Sequence, residues 1–505
     1  MSHPTPQAVP ELSPLIARCE SEELHRSGAI QPQGALLLLS RDSRRVTHAS
    51  ANLDAITGVA ASDVLGRRAD EVPALARLDL DGAAPLPVAA ASGLPQRWHV
   101  VFEAGRRALD CTAIASTGSV LLEIEPASAT SVPRGLVESL MQGAPSPRRE
   151  LGEYHAWLLD ALRQLTSFDR FMIYRFHDDW SGEVIAEWSQ PDLEPFLGLR
   201  YPASDIPEIA RKLYLQNACR SIPDVSAMPV AMLGGDTPDL THSDLRSVSP
   251  VHLQYLKNMQ VAASFSIPIR SVRGLWGLVS CHHRRPYRLS RPQRDACVTL
   301  AHGYSMRLMS TLSARTLQET DAAERRARSL FEQLRSEPDP FAAVLASEPT
   351  LSALVAARGV AIGERDRLAS AGVAPDRERL DRLDAWFSQR PELMLQNEHW
   401  TSFLAVDGAA DAVRGFLAVK ARYRSGWLRF YWFRPEEVQE IAWGGQPEKV
   451  VDQATGALSP RSSFSRWVEV RQGHSQPWTV PQQIMAGKVR QCLAEWQGSE
   501  LPKQE

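Results

Sequence analysis

One long amphipathic run, beginning at Ser290, limits the fold of this chain more than any other feature. Ser290 and Gln293 form a Ser-x-x-Gln capping box. Cys297, Leu300, Tyr304, Leu308 and Leu312 follow at helical spacing, and helical signal resumes over 324–334. A helix of about 40 residues cannot bury its apolar stripe inside one domain, so the run predicts a spine between domains, and such a stripe can also pair with a second copy. The chain has 505 residues, enough for roughly three or four domains of about 100–200 residues each.

The pattern on either side of the spine is mixed α+β. Residues 1–17 are Pro-rich and polar and read as an arm. A first unit, 18–125, shows short strands at 34–39, 46–49, 98–102, 108–114 and 120–125, with a helix near 51–56. A Pro/Ser-rich linker occupies 126–145. The second unit, 146–315, starts with a helix over 150–166 and strands at 170–177 and 183–188. A helix at 206–216 has Pro207 in its first turn, and strands follow at 262–270 and 275–282. Residues 221–250, rich in Pro, Gly and Asp, read as a long functional loop. The third unit, 316–505, places helices first and strands after Trp400, at 401–406, 416–423 and 428–433. An amphipathic stretch over 482–496 closes it.

Net charge near −3 provides no basic footprint for nucleic acid. The first thirty residues lack the pattern of a signal peptide. The longest apolar run, 35–39, is far below the roughly 20 residues of a spanning helix. The reading is therefore cytoplasmic, with no membrane partner. The six cysteines form no C-x-x-C pair, and most read as inert core thiols. Cys19 differs, because Arg-Cys-Glu-Ser-Glu-Glu-Leu-His is polar and outside any strand or helix pattern. Such a place suits an accessible nucleophile better than a packing residue.

Two motifs gather chemistry in the second unit: Tyr-Pro-Ala-Ser-Asp-Ile-Pro at 201–207 and Ser-Pro-Val-His-Leu-Gln-Tyr-Leu-Lys-Asn-Met at 249–259. On its own, Asp205 reads as an Asx-turn or helix N-cap residue, and Pro207 keeps Ile206 out of the helical region. Arg220 and Arg246 read as surface ion-pair residues, and Tyr174, Tyr201 and Tyr255 as core. A metal site from His252, His282 and His283 is disfavoured, because adjacent strand residues point to opposite faces. A hydrolase using Asp205 with His252 lacks a nucleophile motif such as G-x-S-x-G. The expectation is no metal and no catalytic residue.

Together with Cys19, these motifs resemble the bacteriophytochromes, in PAS–GAF–PHY order. The resemblance implies three antiparallel sheets flanked by helices and joined by the spine, with the N-terminal segment threaded through a GAF loop around Ile30. It implies a red/far-red sensor holding biliverdin IXα by a thioether to Cys19 and isomerising it at C15=C16. Leu253 stands where other branches carry the attaching cysteine. By the same resemblance Arg220 and Arg246 hold the propionates, with Tyr214, Ser249, Ser264 and Ser266 as hydroxyl donors. The Asp205 carbonyl, followed by Ile206 and Pro207, faces the pyrrole N–H groups. His252 shares the pyrrole water, and His282 bonds the D-ring carbonyl as one of an imidazole pair titrating near neutrality. Tyr174, Tyr201 and Tyr255 cage the D-ring, with Met172, Val184 and Phe196 as apolar filling. Gln33 and Gln260 depart from the family, which often has His and Gly there.

The third unit carries Trp443-Gly-Gly445, Pro460-Arg-Ser-Ser-Phe464 and Trp478, which resemble the PHY tongue at about 440–480. Arg461 is expected to reach Asp205, with Ser463, Phe464, Trp443 and Trp478 also in the switch. The segment fits two periods: Phe464, Val468 and Val470 share a strand face, whereas Phe464, Trp467 and Val468 share a helical stripe. That suits an element that refolds, although an ordinary hairpin fits too. The partners implied are a second copy through the GAF and PHY helices and an output kinase or response partner. A pigment-free PAS/GAF ligand-sensing or interaction module is the alternative.

Overall fold

The computed structural model describes residues 22–72, 96–104, 107–115, 118–128, 130–146, 149–335, 337, 339–399, 413–423, 426–447, 450–451, 458–459 and 463–495. Expectations for Cys19, Arg461 and a strand at 401–406 lie outside them. The chain divides into two compact units, Met1–Met309 with Ala442–Trp467, and Ser310–Ile441 with Val468–Glu505.

The first unit holds two sheets. One is antiparallel, with its strands in the order Val46–Ser50, Ala35–Ser40, Ser119–Pro126, Arg107–Ala115 and Gln96–Ala104. Leu37, Val46, Leu109, Leu122 and Ile124 fill one face with Leu53 of the helix Leu53–Thr57. The same sheet gains a strand that the sequence reading had as loop. Val230–Gly234 pairs with Val46–Ser50 on one side and with Ala29–Ile30 on the other. Its partners lie almost two hundred residues away, so no local period announces it. The Gln31 N–H donates to Leu245 O (2.7 Å) and the Ser247 N–H to Ala29 O (3.0 Å). Ile30, fully buried, is thus bonded by both arms of the 230–247 segment, which encircles it. This is the threading expected at Ile30.

The second sheet runs in the order Arg220–Ile222, Ala263–Ser271, Gly274–His283, Arg170–Phe176, Gly182–Ser189 and Arg200–Tyr201. Strand alternation divides its residues. Phe171, Ile173, Phe265, Ile267, Val279 and Cys281 are buried on one face, where the helix Leu151–Leu165 packs. Met172, Tyr174, Ser264, Ser266, Leu278, Ser280 and His282 line a cavity on the other. The helix Arg291–Arg335 is 45 residues long. Its start carries the expected box: the Gln293 N–H donates to Ser290 Oγ (3.3 Å) and the Ser290 N–H to Gln293 Oε1 (3.1 Å). Leu300, Tyr304 and Leu308 are fully buried.

The second unit has a five-stranded antiparallel sheet in the order Arg367–Gly372, Gly359–Glu364, Gly426–Pro435, Val413–Tyr423 and Met394–Asn397. Three of these strands precede Trp400, against the expectation that only helices would. Val360, Ala361 and Ile362 are buried consecutively because Gly359–Glu364 is covered on both faces, so no alternation marks it. One face packs Phe430, Trp432, Phe341 and Met485; the other packs Tyr431, Phe433 and Phe387. Trp478 belongs to the first of these clusters, its ring lying 3.8 Å from the Arg434 guanidinium. It is a core residue of this unit and not part of the tongue hairpin. No described helix is long and apolar enough to cross a membrane.

Candidate functional site

The face of the second sheet that carries even-numbered residues opens onto a cavity of about 250 Å³ that communicates with solvent. The helices Glu208–Gln216 and Pro250–Asn258 close it from the other side. Tyr174, Tyr201 and Phe196 form one wall, with ring centroids 6.0 Å (Tyr174–Tyr201) and 6.4 Å (Phe196–Tyr201) apart. Tyr174 lies so close over Gly182 that a Cβ there would stand 1.9 Å from its ring. Met172 and Val184 fill the space between.

Two guanidinium groups face this space. Arg246 is buried, and its Nη1 donates to Leu240 O (3.2 Å) and Thr241 O (2.9 Å). Arg220 donates through Nη2 to Arg246 O (2.5 Å) and Ser247 O (3.0 Å). Backbone carbonyls carry no full charge, and among the described residues neither arginine makes an ion pair with a carboxylate. Burial, and then the neighbouring Arg220 charge, pushes Arg246 down to about 9. Burial lowers Arg220 as well. Tyr214 shares a hydrogen bond with Ser266 beside them, and burial raises its phenol. The readings of Arg220 and Arg246 as surface ion pairs do not survive this geometry.

The Asp205 turn is built by a 3₁₀ turn, Ala203–Asp205, and an extended Ile206 (φ −126°, ψ 82°). Pro207 is the N-cap of Glu208–Gln216, one residue before the predicted helical position. Arg211 secures the turn by donating to Ile206 O (2.6 Å). The Tyr255 hydroxyl donates to Asp205 Oδ2 (3.0 Å), and the His252 ring stacks on Tyr255 at 6.0 Å. His282 shares a hydrogen bond with Ser280 through Nε2 (3.2 Å), while its buried Nδ1 has no partner among the described residues. The two imidazoles do not sit near neutrality: burial pushes His252 to about 4 and His282 to about 3, with smaller contributions from Arg220 and Arg170 respectively. His283 points elsewhere, 3.4 Å from Asp169 and stacked on Tyr287.

A hairpin closes the edge. Trp443, 5% exposed, bridges Arg200 in parallel. Gly444 passes over Tyr201, where a Cβ would come within 2.7 Å of the ring. Gly445 has φ +85° and would meet Ser463 O at 2.1 Å. Phe464 packs edge-on against Tyr255 at 5.1 Å, and Ser463 is exposed. The strand Arg466–Arg471 leaves Trp467, Val468 and Val470 exposed.

Every residue that the sequence reading assigned to chromophore binding borders this one cavity: Met172, Tyr174, Val184, Phe196, Tyr201, Asp205, Ile206, Pro207, Tyr214, Arg220, Arg246, Ser249, His252, Tyr255, Ser264, Ser266 and His282. That reading missed Glu22, Asn217, Cys219, Ser243 and Ser280, which border it too. Ser280 could have been found by stepping back two residues along the strand from His282. Cys219 carries no such signal.

Comparison with known proteins agrees in order and extent. A PAS fold model matches residues 19–127, a GAF domain model 156–308 and a phytochrome region model 323–500. A bacteriophytochrome of Pseudomonas aeruginosa is 34% identical over 505 residues, covering 95% of this chain and 66% of that protein. One from Xanthomonas campestris is 33% identical, covering 94% of this chain and 78% of its own length. The chain thus spans about two thirds of the first of these relatives. Among solved structures, the Stigmatella aurantiaca phytochrome photosensory core module aligns with a TM-score of 0.79 at 33% identity, covering 94% of this chain and 97% of that one. A bacteriophytochrome from R. palustris gives 0.79 at 29% identity, over 96% and 100%. With its encircled N-terminal strand, cavity and hairpin in that order along the sequence, this chain belongs to the phytochrome family as a PAS–GAF–PHY photosensory module.

Proposed function

We propose that this module is a red/far-red photoreceptor that binds biliverdin IXα covalently through Cys19 and switches between Pr and Pfr forms. The observation that carries the reading is the Arg220–Arg246 pair. It consists of a buried and a half-buried cation facing a tyrosine-lined cavity, held by carbonyls and making no ion pair with a carboxylate among the described residues. A ligand with two carboxylates completes such a site, since guanidinium binds carboxylate through charge-assisted hydrogen bonds. The orphaned His282 Nδ1 and the Asp205 turn supply polar partners for pyrrole and carbonyl groups along an otherwise apolar body.

The bound pigment supplies red-light absorption and a C15=C16 double bond that isomerises. Arg220 and Arg246 anchor its carboxylate tails, with Tyr214, Ser249, Ser264 and Ser266 donating alongside. Tyr174, Tyr201 and Phe196 exclude water from the far end while leaving room for a ring to turn. His252 and His282, held neutral by burial, present an acceptor or a single N–H and not a competing cation. Cys19 precedes Glu22, which borders the cavity, by three residues, a reach of about 11 Å at most. Its thiol adds across a vinyl group, the sulfur bonding one carbon and the proton passing to the other. In the hairpin, Arg461 pairs with Asp205, and loss of that pair lets the 463–471 segment refold. The signal leaves through Arg291–Arg335, which dimerises in the cytoplasm and drives an output kinase or response partner; the module itself is not an enzyme.

Co-expression with a haem oxygenase tests the reading. A green protein whose spectrum changes reversibly under red and far-red light, with zinc-induced fluorescence on a denaturing gel that Cys19→Ser abolishes, is the expected result. A colourless protein overturns it in favour of a pigment-free sensor module.

A further inference from the structure

Glu123 lies on Ser119–Pro126 in the first sheet, outside the domain that contains the cavity, yet it is a carboxylate only 3% exposed. Burying such a group is costly unless it is hydrogen-bonded. Its Oε1 accepts from the Ser243 hydroxyl (2.6 Å) and from the Leu245 N–H (3.1 Å). Ser243 Oγ in turn accepts from the Leu245 N–H (3.2 Å) and the Arg246 N–H (3.1 Å). The turn pinned in this way carries the Arg246 guanidinium. Its carbonyls at Asp244, Arg246 and Ser247 hold Arg220. Leu240 and Leu245 seat the same turn on Ile30, Leu36 and Leu121 of the first sheet. Beside the Gln31 and Ala29 backbone contacts to the same turn, Glu123 Oε1 is the carboxylate oxygen of the other domain that fixes the turn orienting both cavity cations.

We infer that Glu123 is a positioning residue for the anion-binding arginines, acting through its hydrogen bonds to Ser243 and Leu245. This rests on the photoreceptor reading, since it concerns how the cavity grips a ligand carboxylate. A glutamine keeps an acceptor oxygen in place, whereas an alanine does not. The charge and the placement are thereby separable.

The experiment measures non-covalent affinity for biliverdin and for its dimethyl ester, by tryptophan quenching in Cys19→Ser protein. The background variant should prefer the free acid. Glu123→Ala should shrink that preference about tenfold, the loss of two hydrogen bonds, and Glu123→Gln should restore it to within about threefold. Ser243→Ala should shrink it in the same sense, which keeps the test available if Glu123→Ala fails to fold. Leu37→Ala, on the opposite face of the sheet, should lower stability and leave the preference intact. An undiminished preference in both Glu123→Ala and Ser243→Ala overturns the inference, as does failure of glutamine to rescue. If the background variant binds neither compound, the photoreceptor reading fails instead.

Discussion

Replacing Arg246 with methionine should move apoprotein stability and pigment affinity in opposite directions. A fall from 12.5 to about 9 means that the folded protein holds this cation against a cost of about 5 kcal/mol. For a base whose affinity for protons drops on folding, that cost is present in full below the folded value, so it applies at pH 7. Methionine removes the charge but forfeits the bonds to Leu240 O and Thr241 O. Hydrogen bonds of a charged donor contribute about 1.5 kcal/mol each at the lower end. The remainder is a net gain of about 2 kcal/mol for the empty protein. With biliverdin bound the sign reverses, because a lost charge-assisted carboxylate contact costs about 1.5–3 kcal/mol, or roughly 10- to 150-fold in affinity. Urea unfolding of the apoprotein and quenching titrations in the Cys19→Ser background provide the two numbers. If stability and affinity fall together, Arg246 is a structural residue and the argument from its missing counter-ion is wrong.

Gln260 occupies a left-handed position (φ +58°) that completes a Schellman end to Pro250–Asn258, with the Val261 N–H donating to Leu256 O and the Gln260 N–H to Lys257 O. Gln260→Gly should raise apoprotein stability by about 0.5–1 kcal/mol in urea unfolding, while Gln260→Ala should not. Gly444→Ala forces a methyl against the Tyr201 ring and should speed hydrogen exchange at the Gly445 amide, which donates to Ser465 O, by about tenfold or more. Because His252 and His282 titrate lower in the fold than the ordinary 6.5, their contribution to stability is complete above 6.5 and is lost as pH falls toward 4 and 3. Unfolding midpoints of the apoprotein between pH 7 and 4 should show this loss, and the double replacement by glutamine should flatten it.

Much of the site could be read from residues close together in the sequence. Local stereochemistry at 201–207 marked Pro207 at a helix start, while the resemblance of 201–207 and 249–259 to the family's motifs singled out Asp205 and His252. Strand alternation put His282 and His283 on opposite sides, and the resemblance chose His282, which borders the cavity. The tongue was harder. Trp478 lies a few residues from the hairpin in sequence but is committed to the core around Trp432, because the Arg434 side chain stacks on it. The early strand Gly359–Glu364 was missed because burial on both faces erases the period that marks a half-exposed strand.

Local patterns determined most of the elements and the long capped helix, since propensity and periodicity act over a few residues, and the family motifs carried the pocket residues. Three features were settled only when distant segments met: the strand Val230–Gly234 closing around Ile30, the burial of Arg246 without an ion pair to a carboxylate among the described residues, and the depressed proton affinity of His252 and His282. Dielectric environment and strand pairing depend on what lies nearby in space, and a one-dimensional order of residues does not contain that neighbourhood until the chain is packed.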